Sequence, residues 1–289
     1  MNWNLRAAWV LSIVNGLTAM GGWAAGEPPR APAPPRVFLE TSIASTPVTG
    51  QTIEVGPGGD FQEALDKAQP GDEIVLQAGA TYTGNFILPV KEGSGKWITV
   101  RTSNMAGLPK EGTRVGPKDA AAMPKIVAPN ANPAVSTARR AGYDRLVGLE
   151  ISVDPTVKKS WAVVSLGKGA PEQTMLDVVA HHIILDRVYI HGDPKHDCLR
   201  CVALNSASSA VIDSYLSEAH VVGFDSQAIC GVNGPGPFKI VNNYLEGSGE
   251  NIMFGGADPA IRDLAPSDIE FRGNYCFKPL SWKIGHPSY

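Results

Sequence analysis

Residues 225–257 read DSQAICGVNGPGPFKIVNNYLEGSGENIMFGGA, three short apolar runs that are each stopped by Gly, Asn or Pro before a helix can form. Runs of this length, bounded by turn residues, read as strands. The phrasing recurs. Residues 180–192 (AHHIILDRVYIHG), 209–218 (SAVIDSYLSE), 238–247 (FKIVNNYLEG) and 268–277 (DIEFRGNYCF) each give a β-run, a polar or Gly turn, a tyrosine and a second β-run. Their tyrosines, Tyr189, Tyr215, Tyr244 and Tyr275, are 26, 29 and 31 residues apart, a period that signals a solenoid. A further phrase stands between them at residues 200–206, 226–233, 250–257 and 281–285, the last reading SWKIG. Weaker copies occur upstream at 97–103, 144–152 and 161–167.

Each repeat therefore holds about three short strands, and a coil of three strands must break every few residues. Stacking one coil on the next supplies the hydrogen bonds and the core that no single repeat has. An immunoglobulin-like sandwich also has short strands at regular spacing, but it does not require a tyrosine at one place in every phrase. Ahead of the repeats, Asp60 and Glu63 form an Asp variant of the capping box. Phe61, Ala64, Leu65 and Ala68 share one helical face, and Pro70-Gly71 ends the run. One short amphipathic helix is expected there, then strands over 73–77 and 82–88.

Composition agrees with this pattern. The 289 residues are 43% hydrophobic but only 7% aromatic, with 31 Gly and 23 Pro, which predicts an interior of small and β-branched side chains and many turns. A formal charge of -3, without a long Lys/Arg run, argues against nucleic acid as a partner. Residues 1–25 carry Arg6, an apolar stretch over 7–20 and small residues at Gly22, Ala24 and Ala25. This is the pattern of a signal peptide, so the mature chain is expected to be secreted or periplasmic, without a membrane span. Residues 26–50 begin with EPPRAPAPPR and read as a Pro-rich linker, leaving 51–289 for the solenoid. Cys198, Cys201, Cys230 and Cys276 fit buried small residues or one disulfide better than zinc, because the C-L-R-C pair has no second pair at similar spacing.

GDFQEALDKAQPGDEIVLQAGATYTG (59–84) resembles the N-terminal cap and first coil of right-handed parallel β-helix proteins of the pectin-lyase type, and IVNNY (240–244) resembles their internal turns. The resemblance implies an all-β, single-stranded right-handed parallel β-helix with a short N-terminal capping helix. It also implies that the sheet built from the 200–206 phrases forms a saccharide groove. A polysaccharide partner and a monomeric protein are expected.

Aligning those phrases places Val202, Ala228, Ile252 and Trp282 in one inward column, and Leu204, Cys230, Phe254 and Ile284 in another. The outward side chains then include Cys201, Gln227, Asn251 and Ser281, with Ala203, Ile229, Met253 and Lys283 beside them. Asn205, Gly231, Gly255 and Gly285 follow, the glycines leaving the surface bare for a sugar. Asn205, Gln227, Asn233 and Asn251 are the substrate-binding candidates. Elimination across a uronic acid needs a base and a cation. Lys283 or Arg200 suits that role, and His191, from the loop YIHGDPKHDCLR, is a third acid-base candidate beside Asp193, His196 and Asp197. Asp225 and Glu250 offer hard oxygen ligands of the kind calcium takes, and Asp225 precedes its strand as a metal-binding Asp does in pectate lyases. The expected activity is therefore lyase-like cleavage of an acidic glycan, with non-catalytic carbohydrate binding on the same scaffold as the alternative. A lyase would bring Lys283 or Arg200 to a carboxylate cluster in one groove, whereas a binding module would show aromatic platforms alone. The final SWKIGHPSY has no capping segment, which suggests a fragment of a longer chain.

Overall fold

In the computed structural model, which describes residues 33–93, 95–169 and 171–287, the strands follow one another through three parallel sheets. One winding runs from Ala207–Ile212 in sheet A, to Tyr215–Ala219 in sheet B, to Gln227–Gly231 in sheet C. The next repeats the path through Gly236–Val241, Tyr244–Gly247 and Glu250–Phe254. Among the described residues sheet A has eight strands, sheet B seven and sheet C six, and every pairing is parallel. The fold is a right-handed parallel β-helix, the hand that parallel crossovers take.

The tyrosine spacing has its predicted meaning. Tyr189 pairs with Tyr215, Tyr215 with Tyr244, and Tyr244 with Tyr275. The rings of Tyr215 and Tyr244 stack at 4.0 Å and 1°. The corner between sheets A and B is turned in five coils by one residue in the left-handed region: Gly148, Arg187, Asp213, Asn242 and Gly273, at φ 48–65°. The residue after it builds a short ladder. Val188 N donates to Ser214 Oγ, Ser214 N to Asn243 Oδ1, and Asn243 N to Asn274 Oδ1 at 2.8–3.0 Å.

The helix Phe61–Lys67 forms where Asp60 accepts from Glu63 N, and it buries Phe61, Ala64 and Leu65. Phe61 meets Tyr82 and Phe86 at the first coil, which closes that end of the interior. Strands follow at Glu73–Leu76, Thr81–Thr83 and Phe86–Leu88, so the run expected over 82–88 is interrupted at Gly84-Asn85.

Two segments cover the outside of the helix. Residues 36–46 lie across sheet A: Lys239 Nζ donates to Leu39 O and Thr41 Oγ1, and Arg145 Nη1 to Ser42 O and Thr46 Oγ1. Beneath them Arg145 and Arg187 both pair with the fully buried Asp186, at 2.6 and 2.8 Å. The excursion over 105–123 packs Leu108, Val115 and Met123 against Tyr189 and Tyr215, and Arg114 bonds Asn242 and Gly273 at the corner. Sheet C keeps a smooth outer column of Ser136, Ser165, Ala203, Cys230 and Met253, which register with one another.

Residues Pro35–Tyr289 form one compact unit, and the signal-peptide expectation over 1–25 lies outside the described residues. No helix among the described residues is long and apolar enough to cross a membrane. All four cysteines are free thiols, and Cys198, Cys201 and Cys230 are buried.

Candidate functional site

The loops that carry the chain from sheet B to sheet C enclose a cleft of about 760 Å³, lined among others by Glu218, His220, Phe224, Asp225, Glu246 and Trp282. Four successive coils contribute to it, from Pro194 to Ile284, and two of them carry its glutamates. Glu218 takes a left-handed φ of 59° where the register slips between Leu216 and Ala219, and a bulge of this kind re-aims side chains at a sheet rim. Its backbone N–H donates to Glu246 Oε1 at 3.2 Å, while the Tyr244 hydroxyl donates to Glu246 Oε2 at 2.6 Å. Tyr244 thus connects the tyrosine column to the cleft.

Burial raises the Glu246 carboxyl above its ordinary range, more than the Tyr244 and Glu218 hydrogen bonds lower it. Burial, together with the Glu246 contact, also pushes the Tyr244 hydroxyl up, so that hydroxyl keeps its proton. His220 Nε2 lies 3.3 Å from Glu218 Oε2, yet it is a buried nitrogen without a hydrogen bond of good geometry. The Trp282 ring lies 5.1 Å from the His220 ring and walls the cleft. A histidine ring, a carboxyl with a raised pKa and an aromatic wall therefore share one concave surface.

Lys278 supplies a resident cation. Its Nζ donates to Gly247 O at 2.7 Å, to Ser248 O at 3.0 Å and to Gly249 O, and Ser248 and Gly249 line the cleft. Desolvation lowers its pKa, and Glu250 is the first charge acting to raise it. The expected calcium donors do not fit that ion. Asp225 is exposed, Glu250 Oε2 accepts from Gln227 Nε2 at 2.8 Å, and the neighbouring carbonyls already hold an ammonium. Calcium takes six to eight oxygens, and no cluster of three His, Cys, Asp or Glu suited to a metal occurs among the described residues.

The catalytic candidates read from the sequence do not converge. The SWKIG phrase is not a strand: Leu280–Trp282 is a 3-10 turn behind Pro279, so Lys283 stands exposed outside sheet C. Pro279 fixes φ and donates no ladder bond, which favours a turn over another strand. Trp282 belongs to the cleft wall and not to the interior. Arg200 heads its strand in sheet C, in register with Gln227, which in turn pairs with Glu250. His191 sits in sheet B, stacked on Tyr189 and 3.4 Å from Glu150 Oε1.

Three of the substrate-binding candidates, Asn205, Gln227 and Asn233, are buried, and Asn251 is half-buried. Asn205 Oδ1 accepts from Val232 N and Asn233 N, and Asn233 Nδ2 donates to Lys168 O and Gln173 O. Gln227 is fully buried, and Asn251 Nδ2 donates across to Leu245 O and to Phe277 O. Their amides satisfy loop and strand backbone, a common use of Asn in tight turns.

Val202 and Ile252 share the inward column as expected, with Leu204 and Phe254 in the next, but the 226–233 phrase between them is shifted by one residue. Val202 pairs with Ile229, not Ala228, and Ile229 with Ile252, so Cys230 joins Ala203 and Met253. A slip of one exchanges the two faces of a strand. Gly231 therefore enters the Phe254 column, and a Cβ there would lie 2.2 Å from Leu204 O. It is glycine because backbone passes close to it, not to bare a sugar site. Glu218, His220 and Glu246 escaped sequence reasoning, although the two glutamates follow ladder tyrosines by three and two residues.

No family model and no curated protein matches the chain. Solved structures similar to it include an alginate lyase from a Paenibacillus species, at 17% identity over 79% of this chain and 74% of that one, with a TM-score of 0.45. The PL6 family alginate lyase AlyGC is 17% identical over 84% of this chain and 41% of its own, with a TM-score of 0.32. Pectate lyase Pel9A is 13% identical over 78% and 59%, with a TM-score of 0.31.

Proposed function

We propose that this protein is an exported polysaccharide lyase that cleaves uronate-containing glycans by β-elimination in the cleft between sheets B and C. The observation that carries the reading is the His220 ring, its buried Nε2 3.3 Å from Glu218 Oε2, beside the Glu218–Glu246–Tyr244 network in one cleft. In this reading His220 Nδ1 removes the C5 proton of a uronate, its Nε2 turned toward Glu218. The electron pair forms the C4=C5 bond, the C4–O4 bond breaks, and Glu246 gives its proton to O4. Tyr244 holds the Glu246 carboxyl in place, and Lys278, docked on the cleft wall, offsets the negative charge of the glutamates and the substrate.

The pairing of two glutamates on adjacent coils also favours a second reading, hydrolysis with Glu246 as acid and Glu218 as its partner carboxylate. Incubation with alginate and with polygalacturonate separates the readings. The lyase produces the ultraviolet absorbance of an unsaturated uronate together with new reducing ends, and Glu246→Gln slows both about 10²–10⁴-fold. Reducing ends without absorbance would assign hydrolysis. Neither signal on any acidic glycan would end the catalytic reading.

A further inference from the structure

The short strand Lys159–Ser160 pairs in parallel with Asp197–Cys198 beside the cleft loops. Ser160 is buried, and strand alternation puts Lys159 and Trp161 together on the opposite, solvent side. Trp161 is 56% exposed, and Phe224, reaching it from a loop two coils on, is 54% exposed. Their ring centroids are 6.3 Å apart at 89°, so the rings form two walls meeting at a right angle. Lys159 Nζ lies 5.8 Å from the Trp161 centroid and 5.9 Å from that of Phe224, a cation held over both walls. Phe224 also lines the cleft that contains His220 and Glu246. Large rings kept in water beside a concave site mark a surface that a ligand covers.

We infer that Trp161, Phe224 and Lys159 form an outer subsite for a uronate ring of the glycan, continuous with the cleft. The apolar C–H face of the sugar packs on one ring, its edge meets the other, and its carboxylate pairs with the Lys159 ammonium. The corner selects an acidic sugar because a neutral ring would leave the lysine without its partner. Cleavage occurs elsewhere, at His220 and Glu246, so this corner acts on affinity and on chain length. The inference rests on the glycan reading above, but it can fail or stand separately.

The test is calorimetric titration of Glu246→Gln protein, which leaves the probe uncut, with hexasaccharides from alginate and from polygalacturonate and with neutral cellohexaose. Adding Trp161→Ala should weaken binding of an acidic hexamer about tenfold, the loss of a stacking contact worth about one such factor. Adding Lys159→Gln should weaken it about threefold at low ionic strength and not at high salt, with no effect on cellohexaose. In the otherwise wild-type enzyme, Trp161→Ala should raise KM on the polymer and leave kcat unchanged. Unchanged affinity in both variants, or equal binding of cellohexaose, would overturn the subsite even if the enzyme cleaves. Loss of binding in Trp161→Ala without any cleavage by the wild type would keep the subsite and remove the catalytic reading. A wild-type dimer that Trp161→Ala dissociates, with glycan affinity unchanged, would assign the corner to a second copy of the chain and overturn the proposal.

Discussion

Asp186 and Glu246 are both buried carboxylates, one under the segment that covers sheet A, the other at the rim of sheet B. Asp186 meets two arginines, at 2.6 and 2.8 Å, while Glu246 meets a tyrosine hydroxyl and one backbone N–H. Two guanidinium groups satisfy the oxygens of a buried carboxylate and balance its charge, a structural use. Neutral donors leave burial uncompensated, so the Glu246 carboxyl stays within reach of a proton. Burial alone does not separate structure from chemistry in this molecule; the charge of the partners does. Asp144 marks the far limit. It faces the interior in register with Ile98 and Ile183, its Oδ2 has no hydrogen bond, and burial pushes it up to about 8.

The largest expected effect tests that limit. Because the Asp144 pKa lies above its unfolded value near 3.8, folding takes up a proton. Its contribution to stability is greatest below about pH 4 and is lost as the pH rises toward 8. Asp144→Asn should flatten that decline, with a ceiling on the order of 5 kcal/mol at pH 8 from linkage, read from urea unfolding at several pH values. A variant whose pH profile parallels the wild type would show that Asp144 is ionised in the fold.

Asp186→Ala should cost about 3–5 kcal/mol at neutral pH, because it strands two buried guanidinium groups without their counter-charge. Thermal melting checks this, and a loss within error would mean water or loop movement relieves them. Glu246→Gln should leave the melting temperature nearly unchanged while lowering kcat by about 10²–10⁴. In the wild type, activity that depends on the protonated acid should fall as the pH rises through the raised Glu246 pKa, so its alkaline limb lies above that of an ordinary glutamate. A variant that melts early but still cleaves would place Glu246 with Asp186 on the structural side.

The smallest effect concerns the cation. The wild type is expected to melt at the same temperature with calcium and with chelator, and Lys278→Gln should make the two differ, since three carbonyls beside Glu250 would be freed. The measurement is the melting temperature with calcium and with chelator. A calcium-dependent shift of the wild-type protein would show that Lys278 does not stand in for the metal.

Local pattern was enough for the winding. Short apolar runs, turn residues and a tyrosine at a fixed place dictate three strands per coil, because any other register would expose the inward Ile, Val and Leu positions. The capping helix was equally legible, since Asp60 and its apolar face act within a few residues. What tertiary structure decided was which side of a strand each polar residue faces after a loop of irregular length. The loop before Gln227 shifted one column, and Pro279 turned the SWKIG phrase away from the sheet. Asn205, Asn233 and Asn251 read like groove residues, yet they bond backbone from sequence-distant segments that only folding brings near. The cleft belongs to the same category: Glu218 and Glu246 lie 28 positions apart and meet only because adjacent coils are stacked. Hydrophobic periodicity is a property of neighbours along the chain, whereas the ionisation of a carboxyl depends on neighbours in space.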